Sequence, residues 1–223
     1  MTLLSEIQIL FRKEWMLESK RKYAINGILL YLVGAVFICY MSFNVKRGNI
    51  TPITWNALFW IVLLFNAVNA MAKSFLQENK GRYFYLATIV SPQAIILSKI
   101  LYNSLLMLFL SILNFMFYSL VMGNPVADTS LFLLNLFLGA IGFSGAFTLV
   151  SAIASQANNS GTLMAILGFP IILPLLLILI KVSKNAMDGL DFSVSMDEIW
   201  TLLAIDAIVV TVSWLLFPFV WKN

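Results

Sequence analysis

The chain has 223 residues, of which 61% are hydrophobic and 11% charged, with a formal net charge of +4. Soluble domains carry about 45–50% apolar and about 25% charged residues, and a chain this short cannot hide such an excess in one core. A water-soluble enzyme and a disordered chain are both excluded. At about 20 apolar residues per crossing, the composition supplies about six membrane spans.

The N-terminal stretch, residues 1–23, is not a signal peptide, because Glu6, Arg12, Lys13, Glu14 and Glu18 are interspersed with Leu3, Ile7, Leu10, Phe11 and Trp15. At 100° per residue, Leu3, Leu4, Ile7, Leu10, Phe11, Trp15 and Leu17 share one face. This spacing predicts an amphipathic helix lying in the membrane interface on the cytoplasmic side. Glu14 and Glu18 interrupt the face, and two explanations stand: local pairing, such as Glu18 with Lys22, or contact with a cytosolic partner.

The remainder, residues 24–223, reads as one six-helix transmembrane domain. The apolar runs cover about 24–43, 52–72, 94–122, 130–154, 162–180 and 199–220. They are continuously apolar and about twice as long as barrel strands, so they are helices. The third is long enough to cross with tilt or to project beyond the lipid. Ser195 and Glu198 have the spacing of a capping box that would start the sixth helix.

Orientation follows from charge. Arg12, Lys13, Lys20, Arg21, Lys22, Lys73, Lys80, Arg82, Lys99 and Lys222 fall on one side, against Lys46, Arg47, Lys181 and Lys184 on the other. The positive-inside rule therefore predicts both termini in the cytoplasm.

The candidate chemistry is sparse. The single cysteine, Cys39, allows no intrachain disulfide, and the absence of histidine removes imidazole-based catalysis, zinc sites and haem ligation through histidine. No glycine is followed by lysine, so there is no P-loop, and any ATP is hydrolysed on a separate subunit. Gly139, Gly142 and Gly145 lie within a long apolar helix and are expected to let helices approach closely. Asp206 is the one acid well inside a span, and such a carboxyl should face protein or water. Pro170 and Pro174, in G-F-P-I-I-L-P, predict a kinked or broken fifth helix. The loop from Lys73 to Gln93 carries a polar part, Glu78 to Arg82, and an aromatic run that Ser91-Pro92 breaks. It suits a short helix across the cytoplasmic mouth, with charges available to a soluble partner.

The order of these features resembles the coupling region of ABC-2-type permeases. Glu78, then Gly81, an apolar stretch, Ser91-Pro92 and Lys99 lead into the third span. The nearer resemblance is to the CcmB family of cytochrome c maturation permeases, also called haem exporter protein B. It is carried by L-G-F-P-I-I-L-P-L-L-L-I at Leu167 to Ile178, by G-F-S-G-A at Gly142 to Ala146 before it, and by Met187-Asp188 after it. The resemblance covers essentially the whole chain.

It implies an all-α membrane protein of ABC-2-type permease architecture, in the cell inner membrane. It also implies a non-catalytic subunit of an ATP-driven complex that matures c-type cytochromes. The expected partners are a cytosolic ABC ATPase, a haem-handling membrane protein with a small membrane subunit, and a periplasmic haem chaperone that ATP hydrolysis releases. A homodimer, or assembly with those membrane subunits, is the expected quaternary form, and no nucleic acid is involved. ATP and haem would sit on partner subunits, leaving this chain without a directly bound cofactor. By carry-over, Glu78, Gly81, Arg82, Ser91 and Pro92 would form the ATPase-facing region, and Pro170 and Pro174 the family signature. The rival readings are an ABC-2 exporter of a lipid, glycan or drug, a membrane scaffold that only assembles partners, and a proton-coupled carrier dependent on Asp206.

Overall fold

In lipid a backbone must close its hydrogen bonds within its own segment, and an apolar chain meets that demand as helices. A computed structural model describes residues 3–20, 22–43, 50–71, 75, 89–156 and 160–222. It contains α1 (Leu3–Lys20), α2 (Lys22–Phe43), α3 (Pro52–Met71), α4 (Pro92–Met122), α5 (Thr129–Ala154) and α6 (Ser160–Met187). A 3-10 turn, Phe192–Ser195, then leads into α7 (Met196–Lys222). Six stretches are long and apolar enough to cross a membrane: Asn26–Phe43, Pro52–Met71, Pro92–Met122, Thr129–Ala154, Thr162–Met187 and Phe192–Trp221. The protein is an all-α membrane protein with an additional N-terminal helix.

α5 forms the centre of the bundle. Its span is 83% buried, against 11% for that of α2, which lies at the periphery. Small residues explain the difference, because they let neighbouring helices close in. A Cβ on Gly139 would stand 3.1 Å from the Leu179 side chain of α6, and one on Gly145 would stand 3.0 Å from Val209 of α7. At one end, aromatic rings join α3, α4 and α5. Trp55 stacks on Phe59 at 5.5 Å, Phe59 meets Phe132 at 5.4 Å, and Phe132 meets Phe115 at 4.8 Å. Such offset and edge contacts add to simple area burial.

A polar seam runs through this apolar packing. Asn56 Nδ2 donates to the Ile180 carbonyl at 2.9 Å, and Ser183 Oγ donates to Asn56 Oδ1 at 2.7 Å. Trp60 Nε1 donates to Ser183 Oγ at 2.8 Å, and Asn135 Nδ2 donates to the Leu179 carbonyl at 2.8 Å. α3, α5 and α6 are thus pinned in register by side chains that have no water to turn to.

Three expectations are corrected. The fifth span was expected to end near Ile180, but α6 continues to Met187, because Val182, Ser183 and Ala186 are fully buried against the bundle. Of the kinked or broken fifth helix expected at Pro170 and Pro174, the break does not occur, and the helix is continuous through both prolines. Ser195 and Glu198 do not form a capping box. Ser195 Oγ accepts a bond from Asn185 Nδ2 at 2.9 Å, and Glu198 pairs with Lys181 at 2.5 Å, so tertiary partners have claimed both side chains.

Helix starts and turns elsewhere follow local chemistry. Asp128 caps α5 by accepting from the Ser130 and Leu131 amides at 2.9 and 3.1 Å. Gly123 and Gly189 adopt φ of +81° and +65°, the left-handed region that suits glycine at a turn.

Candidate functional site

The N-terminal helix does not simply float at an interface; it docks on the start of α4. Leu10 is buried in a small core with Phe75, Ala94, Ile95, Ile96, Ile100, Ala152, Phe217 and Trp221, and Ile7 packs against that core. Phe11 meets Tyr102 edge-on at 6.3 Å. The predicted apolar face is divided: Leu4 and Trp15 stay exposed, while Ile7, Leu10 and Phe11 turn inward. α1, α2 and α4 also border an apolar groove of about 470 Å³, lined by Trp15, Ile28, Tyr102, Leu105, Phe109 and Ile112.

Two carboxylates of α1 reach α4. Glu6 Oε2 accepts from the Ser91 amide at 3.1 Å and from Ser91 Oγ at 2.5 Å. Ser91 is the N-cap residue of α4 in extended backbone conformation, and its own side chain makes no capping bond. Glu6 therefore stands where a capping carboxylate usually stands, but it arrives from another helix. The two bonds from Ser91 hold the Glu6 carboxyl below the ordinary carboxylate range. Pro92 occupies the first turn of α4, where a missing amide hydrogen removes no helical bond.

Two helical turns further along α1, Glu14 meets Lys99 at 3.5 Å and its neighbour Lys13 at 3.0 Å. Burial pushes the Glu14 carboxyl up, but the charges of Lys99 and Lys13 and their hydrogen bonds outweigh it and hold the group low. Lys99 is only 3% exposed and its ammonium lies 4.7 Å from the centre of the Phe75 ring. That contact combines an ion pair with a cation–π interaction in a desolvated place. Phe75 in turn donates its amide to Ser151 Oγ at 3.3 Å and packs on Phe217 at 5.4 Å.

The local-pairing reading of Glu14 is correct for Lys13, but its second partner, Lys99, is an internal one that neither reading anticipated. The side chains of Glu18 and Lys22 lie outside those described. Of the expected ATPase-facing residues, Ser91 and Pro92 sit at the head of α4, whereas Glu78, Gly81 and Arg82 lie outside the described residues. The short helix expected across the mouth falls in the same undescribed stretch.

Pro170 and Pro174 are on an exposed stripe of α6 with Ile166, Phe169, Leu173 and Leu177. Asp206 lies in the bundle at 6% exposure, and neither carboxyl oxygen has a hydrogen-bond partner among the described residues. It abuts the α5 glycine stretch: a Cβ on Gly142 would stand 2.6 Å from Asp206 Oδ1 and 2.8 Å from a methyl of Leu175. The structure thus brings Asp206 and the residue after Pro174 against one glycine, and keeps both apart from Ser91 and Pro92.

Sequence reasoning missed Glu14, Lys99 and Phe75 as a working group, and Glu6 as the partner of Ser91. The signal was present in part, as a carboxylate interrupting an apolar face and a lysine inside the mouth of a span. It gave no indication that the two belong together.

The arrangement is mechanical in kind. A short helix, both roots of the loop at Phe75 and Ser91, and the ends of α5 and α7 are joined at one end of the bundle. Among the described residues there is no group of three or more potential metal ligands. No curated protein matches the chain significantly. The profile of the CcmB protein family matches residues 5–221, nearly the full length. That match spans the docked N-terminal helix, all six spans and the loop between the second and third, and the chain belongs to the CcmB family.

Proposed function

We infer that the chain works as its family implies, as a membrane component of haem export for cytochrome c maturation. We propose that the chain is the permease subunit of an ABC-type complex in that process, set in the inner membrane with both termini in the cytoplasm. A cytosolic ATPase binds the loop between the second and third spans, at Glu78, Gly81, Arg82, Ser91 and Pro92. Its cycle drives release of a haem-loaded chaperone on the periplasmic side, in concert with a haem-handling membrane protein and a small membrane subunit. ATP and haem are held by those partners. With no histidine in 223 residues, this chain offers no imidazole to haem iron.

The observation that carries this reading is the family match over residues 5–221. The mechanical character of the loop roots supports it. A homodimer, or assembly with a second membrane subunit, completes the complex in this reading. Charge reversal at Glu78 and Arg82 is expected to abolish copurification of the ATPase while membrane insertion persists. Survival of the complex through those changes refutes the assignment of the loop.

A further inference from the structure

Both roots of the cytoplasmic loop are tied to the same short helix. At the entry root, Phe75 covers the Lys99 ammonium, and Lys99 is paired with Glu14 of α1. At the exit root, the Ser91 amide and hydroxyl are both donated to Glu6 of α1. Glu6 and Glu14 are two helical turns apart, so α1 lies along the two roots and bridges them. Leu10, midway between the carboxylates, is buried in the same small core as Phe75 and Ile95, which closes the bridge with apolar contact.

We propose that α1 is a clasp, in which Glu6, Glu14 and Lys99 are positioning residues that make the N-terminal helix, the loop roots and the head of α4 move as one body. The chemistry favours a stable clasp. Lys99 is almost fully buried, so releasing Glu14 would take a carboxylate from a cation held in a desolvated site, where each such partner counts for more than at the surface. Releasing Glu6 would strip the head of α4 of the acceptor that satisfies its first amide. As to consequence, the clasp rests on the coupling function proposed above: a push on the loop would reach α4 only while its two roots are held in fixed relation. A loop anchored at one root alone would absorb the motion instead.

Two measurements on the full chain test this. In a Cys39→Ser background, spin labels are placed at Gln8 of α1, which is exposed, and at Gln93 at the head of α4. After reconstitution into lipid nanodiscs, a single narrow distance is expected. Glu14→Gln and Lys99→Met should each broaden that distribution at least twofold, and the exchange Glu14→Lys with Lys99→Glu should narrow it again. Ser91→Ala, which removes only the hydroxyl bond, should give a smaller broadening in a fully folded protein. In the copurified complex, the two single variants should retain the ATPase but lose at least fivefold of ATP-driven chaperone release, and the exchange should restore at least half. A broad distance in the unaltered protein, unchanged distances in the single variants, or an exchange no better than either single change overturns the clasp. If the unaltered chain retains no ATPase, the proposed function fails, and the distance measurement still decides the clasp by itself.

Discussion

Replacing Gly142 with alanine asks whether the close crossing of α5 with α6 and α7 is as tight as the structure implies. The added Cβ would lie 2.6 Å from Asp206 Oδ1 and 2.8 and 2.9 Å from the two methyls of Leu175, where ordinary contact begins at 3.4 Å. Both neighbours must retreat, yet Leu175 is 1% and Asp206 6% exposed, so each has packed atoms behind it. Overpacking of this kind costs about 1–3 kcal/mol. Alanine returns about 1 kcal/mol of helix propensity, which leaves a net loss of up to about 2 kcal/mol, while the same gain at an unhindered glycine is kept whole. For a chain of this size that lowers Tm by up to about 8 °C. Gly34→Ala is the control, because a Cβ there meets nothing within 4 Å. Thermal unfolding of both variants in mild detergent makes the comparison. The double change Gly142→Ala with Asp206→Ala should recover part of the loss, since Leu175 remains in the way. Equal midpoints for Gly142→Ala and Gly34→Ala would refute the packing argument.

Three further outcomes are expected. Glu6 and Glu14 titrate below their ordinary value of 4.5, so their stabilisation of α1 docking is complete above about pH 4.5 and is lost as pH falls through the lower folded values. The Gln8–Gln93 distance should therefore hold from about pH 7 to about pH 5 and broaden below about pH 4; broadening already at neutral pH contradicts it. Asp128→Ala removes the acceptor for the Ser130 and Leu131 amides and should cost about 0.5–2 kcal/mol, whereas Asp128→Asn, an equally good cap, should cost little in the same unfolding assay. Asn56→Ala and Ser183→Ala each break the seam between α3 and α6, at about 0.6–1.7 kcal/mol per bond. Because the two residues bond to each other, their double variant should lose less than the sum of the single losses; strict additivity refutes a shared seam.

Much of the architecture was legible because lipid leaves few choices. An apolar run of sufficient length has to become a helix, so six spans and an amphipathic N-terminal helix could be read without contacts. The glycine series on α5 was legible for a similar reason: small residues in an apolar helix serve to bring helices together. The candidate site was legible only where local chemistry is strong. Ser91-Pro92 marked the head of a helix, but the cap on that helix comes from Glu6, 85 residues earlier in the chain.

Sequence by itself determined that this chain crosses a membrane as a set of helices, and its ordered motifs pointed to the family that the full-length match then established. Tertiary structure decided which polar groups meet. It paired Glu14 with Lys99, gave Ser195 to Asn185 and Glu198 to Lys181, and left Asp206 against Gly142. The physical reason is range. Hydrogen bonding along a helix and the hydrophobic effect act on each segment separately and leave a periodic trace in sequence. A buried charge takes whichever partner the packing of distant helices presents to it, and that choice leaves no local pattern.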